Sequence, residues 1–268
     1  MHTTGFDGQN SVREMVLCAK NQGFNTVGIS NHFIVWPGIQ QTRMYQYSVR
    51  GGYNNIYSDS FDAVMAKFIP HYAEIEQIQS EFPDVKILRG FEVDFFYHPK
   101  WLDGFERCVS YLQPDYIIGS CHFIEYNGTL LNSHDWKNSD ALTQDVLLRQ
   151  YWNKIATAAE TGLFTWMAHL DLPKKVGLGR EEKWREYENR AIDAIAESGG
   201  AIEINTGFYR SYCFEPYPSL RILEMAANKK IPVLISDDAH AISQIGRHFD
   251  AAEQLITQYK LSRIEKIK

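Results

Sequence analysis

The sequence predicts a single α/β domain built on a parallel sheet, closed as a barrel rather than split into two Rossmann halves. Three observations carry this reading. Short β-rich runs alternate with amphipathic helical runs along the whole chain, and strict β-then-α alternation implies parallel strands joined by crossover helices. No GxGxxG follows the first strand and no GxxxxGK[ST] occurs anywhere, so the phosphate loops of open nucleotide-binding sheets are missing. The third is positional. His, Glu, Asp and Asn recur at or just past the C-terminal ends of the predicted strands, on the face where β/α barrels place their active sites.

The elements follow in order. Ser11 with Glu14 forms a capping box, and its helix stops at Gly23. Asn25 to Ser30 is a short strand that delivers Asn31 and His32. Residues 33–59 read as a long irregular stretch rich in aromatics, Gly and Asn, either a lid or packing over the rim. A helix opens at Ser60 or Asp62 and runs to about Phe82, with a kink expected at Pro70. Val85 to Arg89 is a strand leading into Glu92 and Asp94, and Trp101 to Leu112 is helical. Asp115 to Ser120 is a strand that delivers His122, followed by a polar loop with Asn127-Gly128 and His134. A helix from about Asp140 to Thr161 precedes a strand, Leu163 to Ala168, that delivers His169. Glu181 to Ser198 is helical and stops at Gly199-Gly200, and Ala201 to Ile204 is a strand that delivers Asn205. Pro218 opens a helix to Lys229, in keeping with Pro at a first turn. Ile231 to Ile235 is a strand that delivers Asp238 and His240, and a last helix spans about Ser243 to Tyr259.

Composition removes several classes. The chain has 268 residues, 44% hydrophobic and 22% charged, so it can bury one large core and is not disordered. No run approaches the roughly 20 apolar residues that span a bilayer. The start, MHTTGFDGQ, lacks the basic and apolar regions of a signal peptide, so a cytoplasmic location and no membrane partner are expected. A net charge of −6 argues against a broad nucleic-acid footprint. Cys18, Cys108, Cys121 and Cys213 are widely spaced, which speaks against a disulfide framework and a Cys-rich zinc site.

The chemistry therefore rests on His32, Glu92, His122, His169, Asn205, Asp238 and His240 at the strand ends. Each alone has an ordinary reading: a single His after a strand is usually a packed or surface residue, and Asp there is often an N-cap. Repetition on successive strands makes coincidence a poor account. A His, Glu and Asp donor set without Cys suits zinc, iron or manganese, and carboxylates can bridge two ions. His71, His98, His134 and His248 lie mid-helix or in loops and read as packing or surface residues.

His2-Thr3-Thr4 with Asp7-Gly8, Ser30-Asn31-His32, Gly90-Phe91-Glu92-Val93-Asp94, Gly119-Ser120-Cys121-His122-Phe123, His169-Leu170-Asp171 and Asp237-Asp238-Ala239-His240 resemble the ordered motifs of the polymerase and histidinol phosphatase (PHP) superfamily. Ile202-Glu203-Ile204-Asn205-Thr206 with Arg210, Pro216-Tyr217-Pro218-Ser219, and Leu170-Asp171-Leu172-Pro173-Lys174-Lys175 are similar to its histidinol-phosphatase branch. The resemblance implies a distorted seven-stranded, TIM-like β/α barrel holding two or three divalent metal ions (Zn, Mn or Fe). It implies that His2 and Asp238 hold the first metal, that Glu92 bridges to a second completed by His122 and His169, and that Asp7, His32 and His240 hold a third. Asp7-Gly8 is also an ordinary turn signal.

The implied activity is hydrolysis of a small phosphate monoester, L-histidinol phosphate, by a metal-activated hydroxide attacking phosphorus in line. Glu92, Asp238 and His240 form the expected catalytic set. Arg210 is the first candidate for the phosphate-binding cation because its planar fork suits phosphate, with Lys174 and Lys175 next and Asn205 beside them.

Two departures stand out. The family's first motif is His-x-His, and only the second His is here, as His2. The expectation is that the preceding His and first strand lie upstream of Met1. The acidic residue that often precedes the next motif's His is Asn31, expected to support ligands rather than bind metal. The alternatives are another PHP phosphoesterase (a phosphodiesterase, a nuclease or a phosphatase for a different small phosphate) and a non-enzymatic chain with a degenerate metal site.

Overall fold

The computed structural model describes residues 1–208, 215–264 and 267. The chain divides into two compact units, one of Met1–Ile118 with Asp237–Gly246 and one of Gly119–Ser236 with Arg247–Ile267.

The first unit opens with α1 (Val12–Asn21), whose Ser11 and Glu14 make the expected reciprocal capping box. Strands β1 (Thr26–Ile29) and β2 (His32–Val35) follow. The stretch expected to be irregular contains a helix, α2 (Arg43–Gly51), before β3 (Tyr57–Ser58). The Thr42 side chain accepts from Tyr45 N–H at its start, and Gly52 closes it in the left-handed conformation. Local capping thus organises a segment whose composition reads as loop. Next comes α3 (Phe61–Glu81), which continues through Pro70 and is capped by Ser60. Then come β4 (Lys86–Asp94) and α4 (Pro99–Leu112), and β5 (Tyr116–Ser120) runs from this unit into the next.

In the first unit β4 is the central strand. β1 pairs with it in parallel from Thr26 opposite Lys86 to Ile29 opposite Arg89. β2 continues in the same register, His32 opposite Glu92, and carries β3 on its other side. The register therefore aligns two candidate ligands on neighbouring strands, with His32 at the start of β2 and Glu92 within β4 rather than past the ends of the strands expected to deliver them. Phe33 anchors the core behind them, its ring 5.1 Å from Phe91 and 5.6 Å from Phe105, edge-on to the latter. Gly90 has no side chain because Tyr116 lies across it: a Cβ there would meet the ring at 2.4 Å.

The second unit holds the hairpin β6 (Phe123–Tyr126) and β7 (Thr129–Asn132), then α5 (Ser133–Trp136), α6 (Ala141–Glu160) and β8 (Trp166–Met167). The polar loop expected around Asn127-Gly128 is thus the turn of this hairpin, with both residues at positive φ (49° and 74°), the backbone that matches strand twist. Beyond β8 come α7 (Arg185–Glu197), β9 (Ile202–Asn205), α8 (Leu220–Asn228), β10 (Pro232–Ser236), α9 (Phe249–Tyr259) and β11 (Ser262–Arg263). Strands β8, β9, β10 and β11 pair in that order, all parallel. Tyr151, Trp152, Ile192, Ile195, Ile202 and Leu223 are buried in this unit's core. No helix among the described residues is long and apolar enough to cross a membrane.

Candidate metal centre

The first unit gathers six donors. Met1 brackets β1, its amino group donating to Gly28 O (2.9 Å) and its carbonyl accepting from Ser30 N–H (3.0 Å). His2 N–H then donates to Ala239 O (2.8 Å). The chain turns tightly from here, with Gly8 N–H on Thr3 O (3.1 Å) and Gln9 N–H on His240 O (2.7 Å). Gly8 is required by this turn: a Cβ would lie 2.4 Å from the His2 and Thr3 backbone. Asp237 shapes the opposite wall, its carboxylate accepting from Ala239 N–H (3.1 Å) and Gly246 N–H (2.7 Å). Asp238 sits there at φ 50°, a strained backbone of the kind held at functional sites.

The side chains converge. His2 Nε2 lies 3.1 Å from Asp238 Oδ1 and 3.2 Å from Glu92 Oε2. Its Nδ1 lies 3.4 Å from Asp7 Oδ1. Asp7 Oδ2 is 3.3 Å from His32 Nε2 and 3.2 Å from His240 Nε2. The His2 and His240 rings stack at 4.1 Å. Two donor groups result, each within 4.8 Å: His2, Asp7, His32 and His240, and His2, Glu92 and Asp238.

The residues present fit a divalent metal. His2 Nδ1 and Asp7 Oδ1 are both buried without a hydrogen-bond partner, an arrangement that calls for an unseen ion or water. His240 Nδ1 faces the Asp238 carbonyl at 2.9 Å and must donate to it, since a carbonyl only accepts. In the neutral ring Nε2 then presents a lone pair to a carboxylate oxygen, a contact that only a cation or a proton between them makes favourable. The electrostatics agree. Burial by itself would strip His2 of its proton, yet the charge of Asp7 and the nearby Asp238 and Glu92 carboxylates hold its pKa well above the ordinary value. Burial would raise Asp238, but the His2 hydrogen bond and the His240 and His2 charges drive it far below the carboxylate range. These shifts favour positive charge at the site, and nitrogen with oxygen donors suits zinc, manganese or iron.

In the second unit the His122 and His169 rings meet edge-on at 5.0 Å, and Ser120 Oγ lies 3.3 Å from His122 Nδ1. His169 is at φ 23°. Glu203 organises this group, although the sequence reading did not single it out. Its buried carboxylate accepts from His169 N–H (3.0 Å), Asn205 Nδ2 (2.8 Å) and Ser236 Oγ (2.8 Å). The legible signal was a carboxylate within the apolar run of β9. Asn205 Oδ1 also accepts from Gly207 N–H (2.8 Å), so its amide is engaged by the protein at both ends. Lys174 is buried. Its ammonium lies 3.0 Å from Asp171 Oδ2, donates to Pro216 O and covers the Tyr217 ring at 4.9 Å. Lys175 is exposed. Arg210 lies outside the described residues.

The remaining histidines divide. His98 caps α4, its Nδ1 accepting from Lys100 N–H at 3.2 Å, and His248 stands at the left-handed N-cap of α9. His134 is exposed. His71 is buried and bonded to Asn31. The aromatic stretch is tied down beside the donors. Asn55 Nδ2 donates to Gly5 O (2.8 Å), and Lys67 Nζ donates to Tyr57 O (2.8 Å) and Ser58 Oγ (3.0 Å).

Comparison with known proteins assigns the chain to a family. The PHP domain family matches residues 1–207, and the chain belongs to that family. The "Probable histidinol-phosphatase" of Deinococcus radiodurans is 33% identical over 192 residues, 70% of this chain and 71% of the relative. The "Histidinol-phosphatase" of Saccharomyces cerevisiae is 37% identical over 287 residues, 94% of this chain and 84% of the relative. Among solved structures, the histidinol phosphate phosphatase of Lactococcus lactis, complexed with zinc, L-histidinol and phosphate, shares the fold. It has a TM-score of 0.75 at 18% identity, covering 98% of this chain and 93% of that one.

Proposed function

We propose that this chain is a metal-dependent phosphomonoesterase that hydrolyses L-histidinol phosphate to L-histidinol and phosphate. The observation that carries the reading is the donor cluster of the first unit: a buried imidazole, His2, faced by the carboxylates of Asp7, Glu92 and Asp238 at 3.1 to 3.4 Å. The names of the relatives, and the zinc, histidinol and phosphate held by the Lactococcus structure, support the substrate. A cytoplasmic biosynthetic role goes with it.

His2, Asp7, His32, Glu92, Asp238 and His240 are proposed to hold two or three divalent ions, and His122 and His169 are proposed as further ligands on their motifs. When bound, such ions polarise phosphoryl oxygens and lower the pKa of water toward 7. The residues do the rest. Asp238 and His240 are the most open of the six, with side chains 28% and 30% exposed against 3% for His2, so phosphate is received at their side of the cluster. Glu92, buried beneath, fixes His2 from the strand below. Arg210 remains the proposed cation for the phosphoryl oxygens.

The test is chelation followed by reloading with Zn, Mn or Fe, reading phosphate release from L-histidinol phosphate, p-nitrophenyl phosphate and a phosphodiester. Activity that vanishes on chelation, returns with metal and favours L-histidinol phosphate supports the reading. Full activity after chelation overturns it. Restored activity confined to other esters moves the assignment to another PHP phosphoesterase.

A further inference from the structure

We propose that Asn31 and His71 form a polarised hydrogen-bond lock that positions the metal ligands of the first unit, with His71 acting through Asn31. The inference rests on the metal-centre reading above.

Asn31 is fully buried and touches three ligand-bearing segments. It precedes His32 in the chain. Its backbone carbonyl accepts from Glu92 N–H (3.1 Å). Its side-chain Oδ1 accepts from Thr3 N–H (2.8 Å), next to His2, and its Nδ2 donates to Thr3 Oγ1 (3.0 Å). The second Nδ2 hydrogen points at His71 Nε2, 2.9 Å away.

This chain of bonds has one direction. Thr3 N–H can only donate, so Asn31 Oδ1 must face it and Nδ2 must face His71. His71 Nε2 is then an acceptor and the ring carries its hydrogen on Nδ1, toward Glu74 Oε2 at 3.6 Å. The ring is held in place by Phe6 at 5.2 Å, edge-on, and Phe68 at 6.2 Å. A buried acceptor on α3 thereby fixes the amide of Asn31, and the amide fixes the segment bearing His2. Outer partners of this kind set ligand orientation and are commonly worth ten- to hundredfold in metal affinity. A packing role alone requires ring volume at this position and is indifferent to whether an acceptor is present.

That difference is the test. Zinc dissociation constants are measured by competition with a chromophoric chelator for the wild type, His71→Gln and His71→Phe, alongside the melting temperature of each metal-free chain. Gln can place an oxygen where Nε2 lies, whereas Phe keeps a ring without an acceptor. The expected result is zinc affinity within a few-fold of wild type for His71→Gln and about ten- to hundredfold weaker for His71→Phe. Equal zinc affinity in His71→Phe and wild type overturns the lock, as does equal weakening in both variants. If His71→Phe does not fold, Thr3→Val removes the other Nδ2 acceptor with little change of shape. A several-fold loss of zinc affinity there supports the lock, and no loss overturns it. A wild-type chain that binds no metal overturns the functional reading and the lock together, whereas zinc binding indifferent to residue 71 overturns only the lock.

Discussion

Both units bury polar side chains on or beside parallel strands, but Glu203 and Lys174 in the second are answered differently from His2 and Asp7 in the first. In the second, Glu203 is answered by a backbone N–H, an amide and a hydroxyl, and Lys174 by a carboxylate and a backbone carbonyl. In the first, carboxylates and imidazoles face each other, and His2 Nδ1 and Asp7 Oδ1 are left without hydrogen bonds, as His169 Nδ1 and Asp171 Oδ1 are in the second. Buried charge met by fixed protein dipoles is scaffold. Buried carboxylates met by imidazoles rather than fixed dipoles are a place for a cation, be it a proton or a metal, because burial of such a set is costly until positive charge enters.

The largest expected contrast comes from removing one group from each unit. Asp238→Asn should lower kcat about 10³-fold, the loss of roughly 4 kcal/mol of charge stabilisation at the transition state, with little change in melting temperature. Lys174→Met should do the reverse: it leaves the Asp171 carboxylate with only its Ser219 N–H bond, costs about 3 kcal/mol of stability and leaves the turnover of folded molecules nearly intact. A Lys174→Met chain that melts normally but fails to turn over would break the comparison and make Lys174 a substrate-binding cation.

Next in size is an internal contrast between two buried histidines. Carboxylates hold His2 protonated, whereas burial pushes His71 down to about 4. For His71 the folded pKa lies below the unfolded value near 6.5, so the unfolded chain binds the extra proton. Its stability contribution is complete above about pH 6.5 and is lost as pH falls toward 4, by about 3 kcal/mol in all. Urea unfolding of the metal-free chain from pH 7 to 4 should show this fall, and His71→Gln should flatten it.

Glu203 sharpens the scaffold side. Glu203→Leu should weaken metal binding ten- to hundredfold by releasing the His169 backbone. Glu203→Gln keeps an acceptor for His169 N–H and should lose less. Equal affinities in both variants and wild type, read by chelator competition, would remove Glu203 from the site's support.

The smallest effect per step is the pH dependence of metal uptake. Because the His2 pKa is raised, the metal-free site holds a proton at neutral pH that a metal must displace. Zinc affinity should therefore climb about tenfold per pH unit while that proton is being lost, levelling above the His2 pKa. Calorimetry in buffers of different ionisation enthalpy should detect the released proton. Binding without proton release would show that His2 is neutral before metal arrives.

Much of this site was legible in the residues. Parallel strands follow from the alternation of β and α runs, and parallel register sets His32 opposite Glu92, although His32 opens β2 and Glu92 lies within β4 rather than past the strand ends where the residues alone placed them. Capping chemistry is local, and Ser11 with Glu14 behaves as it reads. The helix α2 was not legible, because a weak propensity was decided by a cap at Thr42 and a left-handed Gly52. His71 was not legible either. Its position on α3 is that of a packing residue, and its hydrogen-bond partner lies forty residues away in sequence. Sequence by itself determined which side chains carry the chemistry and the order of the strands that deliver them, since residue type and periodicity are local properties. Only the tertiary structure decided which polar groups answer one another. Whether a buried carboxylate oxygen meets a backbone N–H, as that of Glu203 does, or imidazoles, as those of Asp7 do, depends on ångström-scale placement of segments far apart in the chain.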